Sequence, residues 1–398
     1  MAKPKTFLAA IGDANNPITW SGIPYHFLQS ARSAGLIDEG LQLSSEGGEW
    51  RARRIAWNIR RLATGERYGG YQYSPTFLEK LWSRSLRQIT DGTVINCFQL
   101  FPPSVVKDPT VRKWFFIDQT LLQLFDYYDQ RQMIGRRIAR ETVEQEREGY
   151  HAAVGIIAHS KWAAKSVIND YGIAANKVHV VVPGANLDCI EYARWETAEV
   201  KQRHLHWEIR DRPLRLVFVG KHWSRKGLDR LLRAMKIARL SGSKATLRII
   251  GCRREDLPSD LRILDGIEWM DFIDKRSDGL RFFRAVAECD VGCLLSRVEA
   301  GGIALREYHA LGLVALGPDT GGAREHMIQD GSVPVSPRAT EEEIANTLIE
   351  LESNPTWFDS LRIAAWKRRR SALWDESVRQ MISFWPYTAA GFAEKGRR

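Results

Sequence analysis

The sequence predicts an α/β protein of two doubly wound domains, each built on a parallel sheet, with a cleft between them. Short apolar runs alternate with helical patterns along most of the chain, and this alternation is typical of parallel sheets covered by helices on both faces. The pattern stops in a polar stretch after residue 190 and then restarts. The length of 398 residues also favours more than one domain, because a single core rarely grows beyond about 250 residues.

The first half of the chain begins with a predicted strand at KTFLAAIG, a polar loop and a helix at SGIPYHFLQSARSAGL. Residues 50–150 are basic and helix-rich, with buried strands expected at TVINCFQLFPP and KWFFIDQTL. A strand at AVGIIAHS, a helix at SKWAAKSVINDYG and a strand at KVHVVVPGAN follow. These elements form one α/β unit, which we expect to span residues 1–195.

The second half repeats the same alternation from residue 196 to 375. Its predicted strands are LRLVFVG, TLRIIG, GIEWMDF, VGCLLS and LVALG, and its predicted helices are SRKGLDRLLRAMKIARLSG, RFFRAVAECD and GIALREYHALG. After residue 340 a capped amphipathic helix, EEEIANTLIELESNP, is expected. The last segment, residues 376–398, is predicted to be a helix or tail that either packs on the second domain or crosses back to the first.

The net charge of +10 favours an anionic partner, which could be a nucleotide, a phospholipid surface or a nucleic acid. At helical spacing Arg53, Arg54, Trp57 and Arg61 could form one basic face suited to an anionic membrane. The alternative interpretation of these four residues is an ordinary helix face that is exposed to solvent. Nucleic-acid binding is disfavoured, because the basic clusters lie outside any recognisable recognition module.

Cysteine usage and hydropathy indicate a reduced, cytoplasmic setting. The five cysteines are odd in number, widely spread and without a paired-ligand spacing, so neither a disulfide framework nor a zinc site is expected. The apolar run FLAAI near the N-terminus is shorter than the roughly seven residues of a signal-peptide core. No apolar stretch approaches the roughly 18 residues needed to cross a bilayer.

One segment, EAGGIALRE, combines two carboxylates with glycines. Glu299 is expected in the loop after a strand and Glu307 inside the following helix, with Gly301 and Gly302 between them. Glycines at a helix N-terminus let backbone amides approach a ligand closely. Two carboxylates at this spacing can accept hydrogen bonds from hydroxyls at both ends of one ligand, as in a nucleotide sugar. A capping and solubility pattern is the alternative interpretation.

A second segment, VGKHWSRKG, supplies positive charge at another strand end. Lys221, Arg225 and Lys226 follow a strand that ends at Gly220 and precede the next helix. Cations at this position can neutralise a diphosphate as it leaves. Taken separately, a lysine beside a glycine is usually only a surface residue.

The two segments, in this order and about 75 residues apart, resemble glycosyltransferase family 4, the retaining nucleotide-sugar transferases of the GT-B fold with two Rossmann-like domains. The trailing GLVALGPDTGGAREHMIQDG and the segment HSKWAAKSVINDYGIAANKVHVVVPGANLD extend the resemblance over roughly residues 150–335, and TWSGIP extends it loosely to residues 1–30.

The resemblance implies a role for each residue of the first segment. Glu307 would bind the ribose hydroxyls of the donor nucleotide. Glu299 would hold hydroxyls of the transferred sugar, together with the backbone of Gly301, Gly302 and Ile303. The domain of residues 196–375 would therefore bind the donor, expected to be a UDP- or GDP-sugar, and the domain of residues 1–195 would bind the acceptor.

The resemblance also assigns catalytic positions. Lys221 and Lys226 would bind the diphosphate and stabilise its charge, and the backbone at Gly22 would approach the donor phosphate from the first domain. Many relatives place a histidine at the end of a strand, whereas FFIDQTL here has Asp118, followed by Gln119. Asp118 could polarise the acceptor hydroxyl or stabilise positive charge on the sugar, or it could only cap a helix.

A family member of this kind needs no dedicated nucleophile, and none is evident. Because no aspartate-x-aspartate pair is present, metal independence and no required cofactor are expected. His159 is expected to be structural. Residues near Phe272, Ile273 and Arg253 would select the donor base and sugar.

The resemblance places the expected reaction in bacterial cell-surface polysaccharide, lipopolysaccharide or glycolipid synthesis, at the inner face of the plasma membrane. The acceptor would be a carbohydrate or a lipid-linked saccharide. A nucleotide-sugar epimerase, a sugar phosphorylase and a non-catalytic nucleotide-sugar-binding protein are the alternative functions.

Overall fold

The computed structural model describes residues 4–130, 134–206, 212–262 and 264–386. These residues form two compact units. Unit 1 contains the described residues up to 182 and residues 377–386, and unit 2 contains the described residues from 183 to 376. None of the described helices is both long enough and apolar enough to cross a membrane.

Unit 1 is built on a parallel sheet of six strands. In chain order they are β1 (Thr6–Asp13), β2 (Glu39–Leu43), β3 (Thr93–Asn96), β4 (Arg112–Ile117), β5 (Gly155–Ala158) and β6 (Val178–Val180). Their order in the sheet is β2-β1-β3-β4-β5-β6, and every neighbouring pair is parallel. The chain therefore winds in opposite directions on the two sides of the β1–β3 pair.

Helices follow the strands of unit 1 as the apolar periodicity predicts. They are α1 (Ile23–Ser33), α2 (Gly48–Ala63), α3 (Pro75–Trp82), α4 (Pro103–Lys107), α5 (Leu121–Tyr127), α6 (Arg136–Ala152) and α7 (Lys161–Asn169). In α6 the buried residues Ala139, Thr142, Glu146 and Tyr150 recur every three or four positions, so one face packs on the core.

The helix α2 does not form the basic and aromatic face that the sequence suggested. Its Trp57 Nε1 donates a hydrogen bond to the Gly69 carbonyl (2.9 Å), and Arg61 is buried, with Nη2 donating to the Ile134 carbonyl (2.9 Å). Arg53 and Arg54 stay exposed, and beside them Ile55, Ile59 and Leu62 are 58%, 61% and 59% exposed. The prediction of one basic face was wrong, because tertiary hydrogen bonds turn two of its members inward.

Unit 2 repeats the architecture with a second parallel sheet of six strands. They are β7 (Arg215–Val219), β8 (Thr246–Ile250), β9 (Ile267–Met270), β10 (Val291–Cys293), β11 (Val314–Pro318) and β12 (Ser332–Val335). The order is β12-β11-β10-β7-β8-β9, with all pairs parallel. The strand order reverses between β7 and β10, and in such sheets the carboxyl ends at the reversal form the binding crevice.

The helices of unit 2 cover both faces of this sheet. They are α8 (Cys189–His206), α9 (Leu228–Leu240), α10 (Gly279–Ala287), α11 (Ile303–Ala310), α12 (Ala323–His326), α13 (Glu341–Ser353), α14 (Pro355–Arg368) and α15 (Trp374–Ile382), whose last residues belong to unit 1. The capped helix expected after residue 340 is α13, with Thr340 and Glu343 forming its capping box. The α/β class with two parallel sheets is confirmed.

The units divide between residues 182 and 183, earlier than the expected boundary at residue 195. Residues 183–195 belong to unit 2 because Trp195 is buried in its core and the Tyr192 hydroxyl donates to the Ala310 carbonyl (2.8 Å). At the C-terminal end of the described chain, Trp385 packs on Trp114 of unit 1, with ring centroids 4.8 Å apart. Periodicity cannot show such long-range packing.

Two strands are absent from the sequence prediction, and both lie at a sheet edge. Strand β2 reads EGLQL and strand β12 reads SVPV, so neither is a continuous apolar run. Pro334 lacks a backbone donor and is tolerated at an edge, where one side of the strand is unpaired.

Candidate active site

The loop after β7 is shaped by a glycine at the start of α9. Gly227 has φ +74°, and a Cβ at this position would lie 2.0 Å from the Leu295 carbonyl oxygen. The Lys226 amide donates to the His222 carbonyl (3.0 Å), which closes the turn. Glycine is therefore required both for the left-handed backbone and for the close approach of the next loop.

The loops that leave β7 and β10 pair through their backbones. The Leu295 amide donates to the Lys226 carbonyl and the Arg297 amide donates to the Arg225 carbonyl, both at 3.2 Å. The Arg297 guanidinium also forms a two-point ion pair with Asp229 at the start of α9, at 2.7 and 3.0 Å. These contacts fix the positions of the two strand ends at which the sheet order reverses.

This pairing brings Lys226 and Glu299 together. The Lys226 Nζ lies 2.5 Å from Glu299 Oε2, the Arg225 guanidinium lies 3.5 Å from the same oxygen, and the Ser296 hydroxyl donates to it at 3.0 Å. Burial raises the pKa of the Glu299 carboxyl, but the charges of Lys226 and Arg225 and the Ser296 hydrogen bond outweigh it. The pKa is therefore lowered, and Glu299 is an ionised carboxylate beside two cations.

Glu307 lies inside α11 and is only 2% exposed. Its Oε1 forms a short ion pair with the Lys275 ammonium, which comes from the loop after β9. Burial raises the pKa of Glu307, and the charges of Lys275 and Lys226 reduce that rise only in part. Since the Lys226 charge acts on both Glu299 and Glu307, the two carboxylates lie in the field of one ammonium group.

The glycines between the carboxylates pack tightly. Gly302 precedes the first residue of α11, Ile303, and has φ +89°. A Cβ at Gly301 would lie 2.8 Å from the His326 ring. Both positions therefore favour glycine, one for its backbone angle and one for lack of space.

Within the described residues, Lys221 forms no ion pair with Glu299 or Glu307. Its exposed ammonium lies 3.9 Å from the ring centroid of Phe272, which is itself 58% exposed. Of the residues expected to choose the donor base, Ile273 is buried and Arg253 pairs with Asp256 at 3.5 Å. The structure thus joins only one of the two predicted lysines to the carboxylates.

In unit 1, Gly22 directly precedes α1 and has φ +89°. It follows two residues with positive φ, Trp20 (+43°) and Ser21 (+57°), which is an uncommon conformation for residues with side chains. The Trp20 ring stacks on the buried His159, whose pKa burial lowers to about 3. His159 is therefore a neutral packing residue.

Asp118 directly follows β4 and is partly buried, and Gln119 after it is buried. The next helix, α5, is held at its N-terminus by the buried Glu146, whose two oxygens accept from the Leu121 amide at 3.0 and 2.9 Å. Burial raises the pKa of Glu146 to about 8. Sequence spacing gave no signal for this contact, which fixes the chain just beyond Asp118.

No group of three or more histidine, cysteine, aspartate or glutamate side chains is arranged as a metal site in the described ranges. The residues that sequence reasoning missed are Lys275, Ser296, Arg297 and Asp229. Lys275 lies after a strand end and could have been suspected on that ground. The others act through contacts that no local pattern encodes.

Residues 201–368 match the family model described as "Glycosyl transferases group 1". A curated relative from Klebsiella pneumoniae, an uncharacterized 41.2 kDa protein in the cps region, is 27% identical over 217 residues, covering 54% of each chain. The chain thus spans about half the length of this relative.

Solved structures share the fold at low sequence identity. Sucrose-phosphate synthase from Thermosynechococcus elongatus has a TM-score of 0.63 and 13% identity, with 96% of this chain and 98% of that chain covered. A glycosyltransferase from Rickettsia africae has a TM-score of 0.63 and 14% identity, covering 98% and 100%. HepE from Anabaena, in complex with UDP and glucose, has a TM-score of 0.61 and 14% identity, covering 96% and 99%. Residues 201–368 are thus similar to a glycosyltransferase group 1 domain, and the solved structures share the two-domain α/β fold of this chain.

Proposed function

We propose that the chain is a retaining glycosyltransferase of family 4 that moves a sugar from a nucleoside-diphosphate sugar to an acceptor hydroxyl. The observation that carries this proposal is the contact of Lys226 with the buried carboxylate of Glu299 at the strand-order reversal of unit 2, with the buried Glu307 paired to Lys275 on the helix that follows. Carboxylates accept hydrogen bonds from hydroxyls, and an ammonium binds phosphate. Unit 2 would bind the donor and unit 1 the acceptor.

The donor roles follow from the partners that each carboxylate already has. Lys275 holds Oε1 of Glu307, so we assign Oε2 to the ribose hydroxyls. The Glu299 carboxylate would accept hydrogen bonds from hydroxyls of the transferred sugar. The backbone of Gly301, Gly302 and Ile303 would contact the same sugar. HepE was solved with UDP and glucose, which supports a UDP-sugar here, and a GDP-sugar has the same hydroxyl and phosphate chemistry.

In the proposed reaction, the bond between the anomeric carbon and the diphosphate breaks while the acceptor oxygen bonds to the same face of that carbon. The acceptor proton passes to the leaving phosphate. Negative charge grows on the diphosphate, and Lys226 and Arg225, with the exposed Lys221, would stabilise it. Asp118 would orient the acceptor hydroxyl or stabilise positive charge on the sugar, and the Gly22 amide would contribute a hydrogen bond to the phosphate.

We further propose that turnover requires neither a metal ion nor a cofactor. Lys226 and Arg225 already converge on one carboxylate oxygen, so cationic charge is present where the diphosphate would lie. We also propose a cytoplasmic role in cell-surface polysaccharide synthesis, and the location of the relative in a cps region is in keeping with it. The acceptor would accordingly be a carbohydrate or a lipid-linked saccharide.

Thermal unfolding with a panel of UDP-, GDP-, ADP-, TDP- and CMP-sugars tests the proposal. We expect one nucleotide series to raise the Tm, with no effect of EDTA. Glu307→Gln should lower the affinity for that nucleotide by about tenfold or more, since charge-assisted hydrogen bonds contribute about 1.5–3 kcal/mol.

The matched control is Glu342→Gln, which changes an exposed glutamate in the first turn of α13. It should leave nucleotide binding unchanged. A folded protein that no nucleotide sugar stabilises, or Glu307→Gln binding as tightly as the parent, would contradict the proposed donor site.

We also propose that unit 1 contacts the anionic inner face of the plasma membrane through the outer face of α2. Ile55, Ile59 and Leu62 recur at positions i, i+4 and i+7 and are each more than half exposed, and Arg60 is exposed on the same helix. An apolar stripe with adjacent arginines is typical of a helix that lies in a membrane interface. The net charge of +10 adds attraction to anionic lipids.

Co-sedimentation with vesicles tests this contact. We expect binding to phosphatidylglycerol-containing vesicles and little to phosphatidylcholine alone. The double variant Ile55→Ser, Ile59→Ser should bind about tenfold more weakly or worse, because burying an isoleucine side chain stabilises by about 1.5–3 kcal/mol. Leu240→Ser, which removes an 85% exposed leucine from unit 2, is the control. Equal loss in both variants would refute a specific role of α2.

A further inference from the structure

Unit 1 contains a half-open cavity of about 640 Å³ that the donor site does not use. It is lined by Ile11 near the carboxyl end of β1, by the turn of residues 45–47 after β2, and by the first turns of α2. Ligand sites usually have about 300–1,000 Å³ and lie outside the carboxyl ends of parallel strands. Both the size and the position fit a small organic ligand.

One wall of the cavity is aromatic. Trp50 packs edge-on against Phe77, and Tyr71 packs against the same ring, with both pairs of centroids 5.2 Å apart. Tyr71 and Phe77 are buried in the unit 1 core, so the wall is held rigidly. Aromatic faces carry partial negative charge and attract the C–H groups on the apolar face of a sugar ring.

The rim of the cavity carries two arginines that the fold leaves unused. Arg51 and Arg54 lie three positions apart on α2 and are exposed. Within the described chain neither guanidinium has a carboxylate or carbonyl partner, whereas on the same helix Arg53 pairs with Glu49 (3.0 Å) and Arg61 with Glu66 (3.0 Å).

Glu46 also lines the cavity, so its lining carries two cations and one carboxylate. Guanidinium groups bind carboxylate and phosphate oxygens in pairs of hydrogen bonds. A carboxylate in the same cavity can accept hydrogen bonds from neutral hydroxyls. This combination selects a ligand that carries both hydroxyls and an oxyanion.

We propose that this cavity binds an acidic saccharide, with the sugar ring against Trp50, its oxyanion between Arg51 and Arg54, and a hydroxyl on Glu46. The oxyanion is the carboxylate of a uronic acid or the phosphate of a sugar phosphate, which present the same chemistry to two arginines. The assignment rests on the proposed transferase function, in which this site is the acceptor subsite of unit 1.

Saturation-transfer NMR and calorimetry on the full-length protein test the site with glucuronic acid, glucose 1-phosphate and glucose as probes. We expect the charged sugars to bind about tenfold more tightly than glucose, because bidentate arginine contacts are lost with the neutral ring. The double variant Arg51→Gln, Arg54→Gln should abolish that difference. Arg60→Gln, an exposed arginine of the same helix outside the cavity, should preserve it.

Preference for glucuronic acid identifies a uronic acid as the source of the oxyanion, and preference for glucose 1-phosphate identifies a sugar phosphate. Equal binding of all three sugars, no binding of any of them, or the same loss with Arg60→Gln overturns the proposal. UDP, GDP, ADP, TDP and CMP are each titrated into the same samples: if one of them binds while the sugars fail, only the cavity assignment falls. If none of these nucleotides binds either, the proposed transferase function falls with it.

Discussion

Replacing Lys226 by methionine is expected to lower donor turnover roughly 10²–10³-fold, the usual effect of removing one group that stabilises charge in a transition state. Lys226 is placed 2.5 Å from a buried carboxylate oxygen of Glu299, at the strand-order reversal of unit 2. Methionine keeps much of the side-chain length but supplies no charge to the leaving diphosphate. The measurement is release of nucleoside diphosphate from the sugar nucleotide that stabilises the protein most.

Lys226→Met also removes an ion-pair partner of the buried Glu299 carboxylate, which can destabilise the fold. A loss of stability must therefore be distinguished from a loss of catalytic rate. Lys226→Arg keeps the charge and should retain part of the rate if charge is what matters. Lys236→Met removes an exposed lysine of α9 and should leave the rate unchanged. Folded Lys226→Met protein with a rate within a few-fold of the parent would contradict the assigned role.

Gly227→Ala is expected to reduce the free energy of unfolding by about 2–5 kcal/mol and to abolish the nucleotide response. The left-handed backbone alone costs a side-chain-bearing residue about 1–2 kcal/mol, and overpacking typically adds about 1–3 kcal/mol. The added Cβ would lie 2.0 Å from the Leu295 carbonyl oxygen, so the loops after β7 and β10 would have to separate. Lys226 would then move away from Glu299. Urea unfolding and thermal shift with nucleotide measure the two effects.

The chain offers a matched control for this substitution. Gly242, just after the other end of α9, also has positive φ (+92°), but a Cβ there would meet nothing within 4 Å. Gly242→Ala should therefore cost only about 1–2 kcal/mol and leave nucleotide binding intact. If the two variants lose equal stability, the contact with Leu295 has no energetic role and our account of the loop pairing is wrong.

The sequence by itself determined the α/β class and the two segments that form the candidate site. Both follow from local information: strands and helices leave different apolar periods, and the glycines and charged residues of VGKHWSRKG and EAGGIALRE lie where strands end. The parallel sheets then place such strand ends at one edge, so the proximity of Lys226 and Glu299 could be expected before any coordinates.

Only the tertiary structure decided which groups act on the carboxylates. Lys275 on Glu307, and the opposite pKa shifts of Glu299 and Glu307, depend on the loop after β9 and on burial, which have no signature at the glutamates themselves. The same holds for α2, where hydrogen bonds to distant carbonyls turn Trp57 and Arg61 inward. Local patterns encode how a segment folds, whereas the neighbours of a side chain depend on strand order and on contacts far apart in the chain.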